Sequence, residues 1–531
     1  PTETGQSCGK RSLPADYLLE LLGNSELRDN QMSFYDLIGK FHHKFNNGDR
    51  LGVTAYRSFD RFQLASDTLL DYTEFSYSNT VLSAYYDKQI SSSIDAAFNV
   101  AMSKYNYDIN YDRLVTQAFN IGFELNEFNG AADFVFYQND KLQHNFGGAF
   151  KRYDIRPGKR DPLGEVSLIA EDQIDSEQAI QQDAYYAVDY EPNEKWNLNA
   201  GIRYSIFSNV GPYTAYDYDV GFTNRIDSTT FSEGDIGNTY HGPEWRFSSR
   251  YFLNPSTSLK ASLSRNRQYV HLLINAASIA PNDVWRLSNE NIQPQIADQV
   301  SLGIFKNFYK DHVIETSVEV YAKQLQNLLD FKTGTDLQFN KAIETGVLQG
   351  PGRSYGLEFN IKKSSGWFTG WLNYTYSRTF IQLEGATPDQ TINQGEFFPA
   401  NYDRPHYLNS VTNYKFTRRF SLAVNMVFAS GIPATYPVGK WDFQGTENIY
   451  YSDRNEFRLP NYFRLDLGLN IEGNHKMKKL AHSFWTISLY NALGWDNVYS
   501  VFFRVEDGEV AGYEMKVFPN PIPTITYNFS F

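Results

Sequence analysis

The last ten residues constrain the fold of this chain more than any other stretch. From Thr524 onward the side chains alternate strictly, with Ile525, Tyr527, Phe529 and Phe531 on one side and Thr524, Thr526, Asn528 and Ser530 on the other. Successive side chains of extended backbone point to opposite faces, so the stretch spells a strand with one apolar face and one wet face. The same period of two recurs upstream, where Phe463, Leu465, Leu467, Leu469 and Ile471 alternate with Arg464, Asp466, Gly468, Asn470 and Glu472. Ile314, Thr316, Val318, Val320 and Ala322 alternate with Glu315, Ser317, Glu319, Tyr321 and Lys323 in the same way. A cation such as Lys323 facing lipid at the bilayer midplane costs about 2–4 kcal/mol, so in a membrane these charges have one tolerable direction, a polar lumen.

Composition separates a lipid-spanning barrel from a soluble sandwich. Aromatic residues make up 16% of the 531 residues, with 38 Tyr and 40 Phe, yet the chain is hydrophilic on average. No run of about 18 apolar residues occurs, which excludes membrane-spanning helices. Alternating strands dilute each lipid-facing residue with a lumen-facing polar one, and a barrel absorbs this length because each hairpin is a local addition.

Joints along the chain keep a rhythm. Strands near 33–45 and 50–59 meet at Asn46–Asp49 (N-N-G-D), a joint of the kind hairpins favour. Those near 74–87 and 92–107 meet at K-Q-I-S, those near 118–138 and 142–156 at N-D-K, and those near 180–191 and 196–208 at P-N-E-K. Further pairs lie near 240–253 and 257–268, 296–308 and 312–324, and 353–363 and 368–380, with two more around T-R-R at Thr417 and G-N-H-K-M-K-K at Gly473. Longer connections separate them, at 60–73, 157–179, 209–239, 269–295, 325–352, 381–405, 431–461 and 494–521. Short joints alternating with long ones predict an all-β, transmembrane antiparallel β-barrel with short periplasmic turns and long extracellular loops. The localisation that follows is the Gram-negative outer membrane, with the C-terminus periplasmic. Residues 1–32, with the apolar patch Tyr17–Leu22, read as an N-terminal extracellular connection or remnant, and 33–531 as the barrel. The count is about nineteen strands, whereas single-chain bacterial barrels have an even number, so a partner for the closing strand is expected before residue 33.

Other function classes are disfavoured. The formal charge of −13 and the lack of a Lys/Arg cluster argue against nucleic acid. Cys8 is the single cysteine, so no internal disulfide forms, and no Cys/His spacing marks a zinc site. His42 and His43 are neighbours on a strand and point apart, which prevents joint chelation. Asp217, Asp219 and Asp227 supply carboxylates of a kind that holds calcium, but such loops are more often solvated. The expectation is no resident cofactor and no metal. No G-x-S-x-G elbow, P-loop or H-E-x-x-H occurs, so the chain does not read as an enzyme. No charged-then-apolar leader opens the chain at Pro1, so export is inferred from the barrel itself.

Aromatic residues in the long loops are the best functional signal. Tyr213, Tyr216 and Tyr218, then Trp285, then Trp441, Tyr450 and Tyr451 offer rigid contact area with a polar handle for a ligand. The competing reading is the girdle of Tyr and Trp at the membrane interface.

Several stretches resemble the barrel of TonB-dependent receptors of the Bacteroidetes type. They are R-Q-Y-V-H-L-L (Arg267 to Leu273), P-N-D-V-W-R-L-S (Pro281 to Ser288), I-Q-P-Q-I-A-D-Q-V-S-L-G (Ile292 to Gly303), G-R-S-Y-G-L-E (Gly352 to Glu358), G-W-L-N-Y-T-Y-S-R-T (Gly370 to Thr379), P-A-N-Y-D-R-P-H (Pro399 to His406) and the terminal strand. The resemblance implies twenty-two strands, of which about nineteen are visible here. It also implies a plug domain in the lumen and a TonB-contacting segment, neither of which this sequence contains. The implied function is import of a scarce nutrient, with ligand bound at extracellular loops and the plug displaced by TonB. Arg267 and His271 join Trp285, Trp441, Tyr213, Tyr216 and Tyr218 as candidate ligand contacts, while Tyr527, Phe529 and Phe531 mark the closing strand used in membrane insertion. Expected partners are outer-membrane lipid, TonB, and surface lipoproteins or other outer-membrane subunits. The alternative is a receptor-like barrel that serves as a structural subunit of a larger outer-membrane complex without transport.

Overall fold

Alternating side chains leave every backbone N–H and C=O of a strand free for a neighbour, and here the neighbour is almost always the next strand in sequence. The computed structural model describes residues 7–11, 31–65, 72–112, 115–273, 284–309, 313–337, 339–443, 446–473, 482–506, 509–516 and 519–530. One antiparallel sheet of 22 strands runs through them. Three members, Ser7–Arg11, Asp172–Gln173 and Phe398–Pro399, are short, which leaves nineteen long ones. The order is a simple meander: Phe119–Asn139, for example, lies between Ile94–Asp112 and Leu142–Pro162. Among the described residues no helix is long and apolar enough to cross a membrane.

The joints at one end are tight for local reasons. Phe45 N–H donates to Asp49 O at 2.9 Å, Asn47 Nδ2 donates to the Asp49 carboxylate at 2.9 Å, and Gly48 takes the positive φ of 93° that the turn requires. At the other end the chain builds accessory hairpins, Tyr213–Tyr218 with Arg225–Phe231, Val270–Leu273 with Val284–Leu287, and Pro437–Phe443 with Thr446–Tyr451.

A belt of exposed apolar side chains crosses the sheet in register. Leu302 pairs with Val320, which pairs with Leu357, and Ile304 pairs with Val318. Leu302 is 56% exposed, and Val320, Leu357, Ile304 and Val318 are exposed with it. Water disfavours such a surface and lipid does not. On the opposite face, Ser262 and Ser301 hydrogen-bond at 2.6 Å and Tyr56 donates to Asp36 at 2.7 Å.

Several expected loops are shorter: Val313–Phe331 and Val347–Lys363 run into 325–352, and Leu142–Pro162 into 157–179. Residues 60–65 and 72–73 belong to the strands Arg50–Ala65 and Tyr72–Ser91, and the neighbouring strands Ile94–Asp112 and Phe119–Asn139 leave only 113–118 between them. The reason is a reversal of polarity along these strands. In Ile94–Asp112 the outward side chains Phe98, Val100 and Met102 are exposed and apolar, but beyond them Lys104 points outward while Tyr107 and Ile109 are buried inside. The period of two continues with its apolar face exchanged, as water replaces lipid outside. Outward charges then pair across strands, Arg61 with Glu74 and Lys104 with Glu124, both at 2.5 Å.

The closing strand Ile522–Ser530 pairs with His482–Tyr490, putting Ile525 beside Ile487 and Tyr527 beside Trp485 with ring centroids 4.7 Å apart. Ile525, Tyr527, Trp485 and Ile487 are all exposed, as a lipid-facing row is. Phe529 is opposite Ser483, and Phe531 lies outside the described residues. Ser7–Arg11, within the segment read as a connection, pair with Tyr35–Gly39, whereas Tyr17–Leu22 and residues 474–481 of the G-N-H-K-M-K-K joint lie outside the described residues.

Candidate functional site

Above the belt the inward face is a buried aromatic cluster. Phe62 stacks on Phe75 at 4.7 Å, Tyr107 on Phe123 at 5.0 Å, and Phe207 on Tyr269 at 4.7 Å with only 1° between the ring planes. Rings this apolar need a cover, and the segment 284–292 provides it. Leu287, fully buried, packs into the cluster together with Trp285. The Ser288 N–H donates to Tyr269 O at 2.8 Å, and the Tyr269 and Ser205 hydroxyls bond at 2.7 Å.

His271, the register partner of Arg286, is fully buried. Its Nε2 lies 2.8 Å from Ser288 Oγ and its Nδ1 3.3 Å from Gln295 Nε2, an amide donor. The matching tautomer is neutral, with Nδ1 accepting and Nε2–H donating. Burial agrees, lowering the imidazole pKa to about 4.

Because strand side chains alternate, burying Trp285 and Leu287 on one face turns Val284 and Arg286 to the other. Arg286 is only 4% exposed. Its Nη1 donates to Glu177 Oε1 at 2.6 Å and its Nη2 to Asn340 O at 3.1 Å, while Glu177 Oε2 accepts the Leu287 N–H at 2.8 Å. This buried pair joins the cover to the start of the strand Glu177–Asn193.

Arg286 forms part of the wall of a cavity of about 240 Å³. Tyr213 and Tyr216 of the first accessory hairpin form another part, as do Asn209 and Glu344. Tyr213 donates its hydroxyl proton to Glu290 at 2.7 Å, and the Arg225 guanidinium sits 3.7 Å above the Tyr216 ring. Burial, followed by this hydrogen bond to Glu290, raises the Tyr213 phenol well above its ordinary range. Three wall atoms are enclosed without a hydrogen-bond partner among the described residues: Asn209 Oδ1, Arg286 Nε and Glu344 Oε2. Asn209, 5% exposed, has its orientation fixed by Nδ2, which donates to Ser288 O at 2.9 Å. Burial pushes the Glu344 carboxyl above its usual range. The cavity wall combines the Tyr213 and Tyr216 rings with the charged residues Asp175, Arg225, Glu290 and Lys341. A second cavity, of about 500 Å³, lies between the segments 330–335, 432–436 and 451–455, with Tyr451 in its wall and Arg454 paired to Asp330 at 3.2 Å.

The expected contact residues fall into separate places. Tyr213 and Tyr216 line the smaller cavity, and Tyr218 stacks on Phe222 at 5.6 Å. Trp285 packs on the aromatic cluster, and His271 is fully buried on the other face, opposite Arg286. Arg267 lies against Gly242, where a Cβ would come within 2.4 Å of its Nη2, and its Nε is enclosed without a hydrogen-bond partner among the described residues. Trp441, 51% exposed, belongs to the hairpin Pro437–Phe443 with Thr446–Tyr451. Asp219 accepts from Thr223 N at 2.7 Å and Asn224 Nδ2 at 2.8 Å, closing its own loop. Among the described residues no group of three or more His, Cys, Asp or Glu is arranged to hold a metal.

Asn209, Glu177, Arg286 and Glu344 were not among the expected site residues. A signal for Arg286 was present: as an Arg beside Trp285 in an alternating strand it had to face away from whatever the tryptophan covers.

Solved structures share the fold at low identity. The ferric-catecholate import receptor Fiu of Escherichia coli K12 is 11% identical with a TM-score of 0.63, over 98% of this chain and 76% of its own. The ferric yersiniabactin uptake receptor FyuA of Yersinia pestis is 11% identical with a TM-score of 0.60, over 94% and 71%. A double mutant of the Serratia marcescens hemophore receptor HasR, solved with its hemophore HasA and heme, is 13% identical with a TM-score of 0.57, over 92% and 74%. No curated protein matches the chain. The model of the TonB dependent receptor-like β-barrel family matches residues 21–492, most of the sequence, and the chain belongs to that family.

Proposed function

We propose that this chain is the barrel of an energised outer-membrane importer whose long-loop end faces outward and captures a scarce nutrient. Family membership puts the barrel in the Gram-negative outer membrane and among receptors rather than enzymes. The observation that carries the reading is the cavity beside the aromatic cover, whose wall combines the Tyr213 and Tyr216 rings with charged side chains. In this reading ligand binding is coupled to TonB through a plug and a TonB-contacting segment, and the short turns are periplasmic.

The second reading, a scaffold that docks surface lipoproteins or other outer-membrane subunits, draws on the exposed aromatics Trp441, Tyr450 and Tyr451. Uptake by a deletion strain separates the two. An importer restores accumulation of a labelled nutrient only when both this protein and TonB are present. A scaffold restores its complex, and growth, equally in a strain without TonB, and that result would overturn the transport reading.

A further inference from the structure

We propose that the cavity at the T-R-R joint, walled by Trp367, Lys415, Arg418, Arg419, Phe420 and Glu472, holds the phosphate headgroup of an anionic phospholipid. The inference rests on the reading that the short joints are periplasmic, the side on which the outer membrane presents a phospholipid leaflet. It concerns the opposite end of the barrel from the cavity beside the aromatic cover.

The strands place the site at the membrane edge. Phe420 pairs with Ile471, Leu422 with Tyr414, and Tyr414 with Phe368, which carries the outward apolar row down to the joint. Phe368, Tyr414, Phe416 and Phe420 are exposed, and the Tyr414 and Phe416 rings meet edge to face at 5.1 Å. Rings gathered where an apolar row ends mark the level of the headgroups. Lys415 and Ser421 are register partners on the alternate face. A cavity that takes Phe420 from one face and Lys415 from the other lies across the rim.

The joint is organised before any ligand arrives. Phe416 N–H donates to Phe420 O at 3.0 Å, and Thr417 Oγ1 accepts the N–H groups of Arg419 and Phe420, each at 3.1 Å. Arg419 Nε donates to Glu472 O at 3.2 Å, which fixes the guanidinium through one of its N–H donors and leaves the others. Lys415, Arg418 and Arg419 are exposed, and among the described residues none of them takes part in an ion pair. The wall thus sets three accessible cations against one carboxylate, Glu472, in a chain whose formal charge is −13.

Charge and position select the occupant. Cations held this close repel one another, and a phosphodiester supplies the anion that guanidinium groups bind through paired hydrogen bonds. A zwitterionic headgroup brings an ammonium to the same cations, whereas an anionic one keeps its net charge. An acidic protein segment matches the charge but leaves the outward rings unused. The volume of about 380 Å³ lies within the usual range of small-ligand cavities.

Native mass spectrometry of the purified full-length protein, titrated with lipid in detergent, tests this. Phosphatidylglycerol is expected to be retained at least about tenfold more strongly than phosphatidylethanolamine, because each cation near a headgroup adds a several-fold attraction. Arg418→Gln/Arg419→Gln should bring the two lipids to within about twofold, while Lys306→Gln, an exposed cation on the strand Gln295–Tyr309, should leave the preference intact. The comparison of lipids uses unaltered protein, so it stands even if the variant folds poorly. Equal retention of the two lipids overturns the proposal, as does an unchanged preference in the double variant, including one that loses a co-purifying protein. Displacement of the lipid by an equal concentration of glycerol 1-phosphate would make this a free-phosphate site and overturn the lipid assignment. Arg418→Cys in a Cys8→Ser protein should react with a membrane-impermeant thiol reagent only after cells are opened. Labelling of intact cells overturns the periplasmic placement and the leaflet with it, whereas a failed lipid comparison with the expected labelling overturns the site alone and leaves the importer reading standing.

Discussion

Asp403, in the P-A-N-Y-D-R-P-H stretch, holds two loops to the rim of the barrel, and its replacement by asparagine should release them. Its carboxylate is buried and receives the Thr379 N–H at 2.6 Å, Arg378 Nε at 3.2 Å and Arg458 Nη2. Arg458 Nη1 also donates to Asp403 O at 2.8 Å and Gly431 O at 3.0 Å, so the Asp403 and Arg458 side chains together tie the segments around 379, 403, 431 and 458. Breaking a buried ion pair by removing one partner costs about 3–5 kcal/mol. The Arg378 and Arg458 side chains keep 24% and 29% of their surface in water, which puts Asp403→Asn near the lower end, about 3 kcal/mol. The loss is local, because the strands below retain their ladders. It should appear in hydrogen exchange as roughly hundredfold faster exchange of the Ala400 amide, bonded to Thr379 O at 3.0 Å, and of the Leu459 amide, bonded to Ile432 O at 2.9 Å. Amides in the ladder between His406–Lys415 and Phe420–Ala429 should not change. Unaltered exchange at both Ala400 and Leu459 in a folded Asp403→Asn protein would refute the reasoning.

Three further outcomes follow from the same physics. His271 is held neutral with its pKa lowered to about 4 from 6.5, so the unfolded segment binds the proton first: its contribution is intact above about 6.5 and is lost as pH falls toward 4, by roughly 3 kcal/mol. Protection of the Val270–Leu273 amides, relative to their intrinsic exchange rates at each pH, should therefore fall over that window and become insensitive to pH in His271→Gln. Leu302→Arg puts a cation in the exposed belt and should cost about 2–4 kcal/mol of stability in lipid vesicles, whereas Ser301→Arg, on the lumen face, should be nearly neutral by the same folding titration. Phe207→Ala empties a fully buried ring site and should cost about 3–5 kcal/mol, read as a lowered thermal midpoint in detergent.

The barrel was legible because its determinant is local. Alternation at Ile525 and Tyr527, at Leu302 and Ile304, and in Phe463 to Glu472 needs only a strand and a lipid face to be read. Joints such as Asn46–Asp49 carry their own turn chemistry. A single sense of alternation stops the strands too early, near 60, 74 and 107, because beyond the belt the same strands are polar outside and apolar inside. Tyr107, Ile109 and Phe123 continue the period with the opposite sense, a change that depends on where the membrane stops and not on any residue. The site was less legible, since Glu177 and Arg286, or Asn209 and Glu344, meet only through loops more than a hundred residues apart. Tyr213 and Tyr216 were found because ring chemistry is visible one residue at a time.

The reversal of polarity and the cavity are physically linked. Inward rings above the belt, such as Phe207 and Tyr269, would meet water without Leu287 and Trp285 over them. A strand that turns those two residues down must turn Arg286 up, away from the cluster and out of water. A desolvated guanidinium requires a carboxylate, which Glu177 supplies, while Nε is enclosed without a hydrogen-bond partner among the described residues. The buried ion pair is thus a consequence of covering the rings. Loosening the cluster by Phe207→Ala, which removes the ring stacked on Tyr269, should therefore loosen the cover, read as faster hydrogen exchange of the Ser288 amide bonded to Tyr269 O at 2.8 Å. Unchanged exchange at Ser288 in a folded Phe207→Ala protein would mean that the cover is held by Arg286 and Glu177 alone.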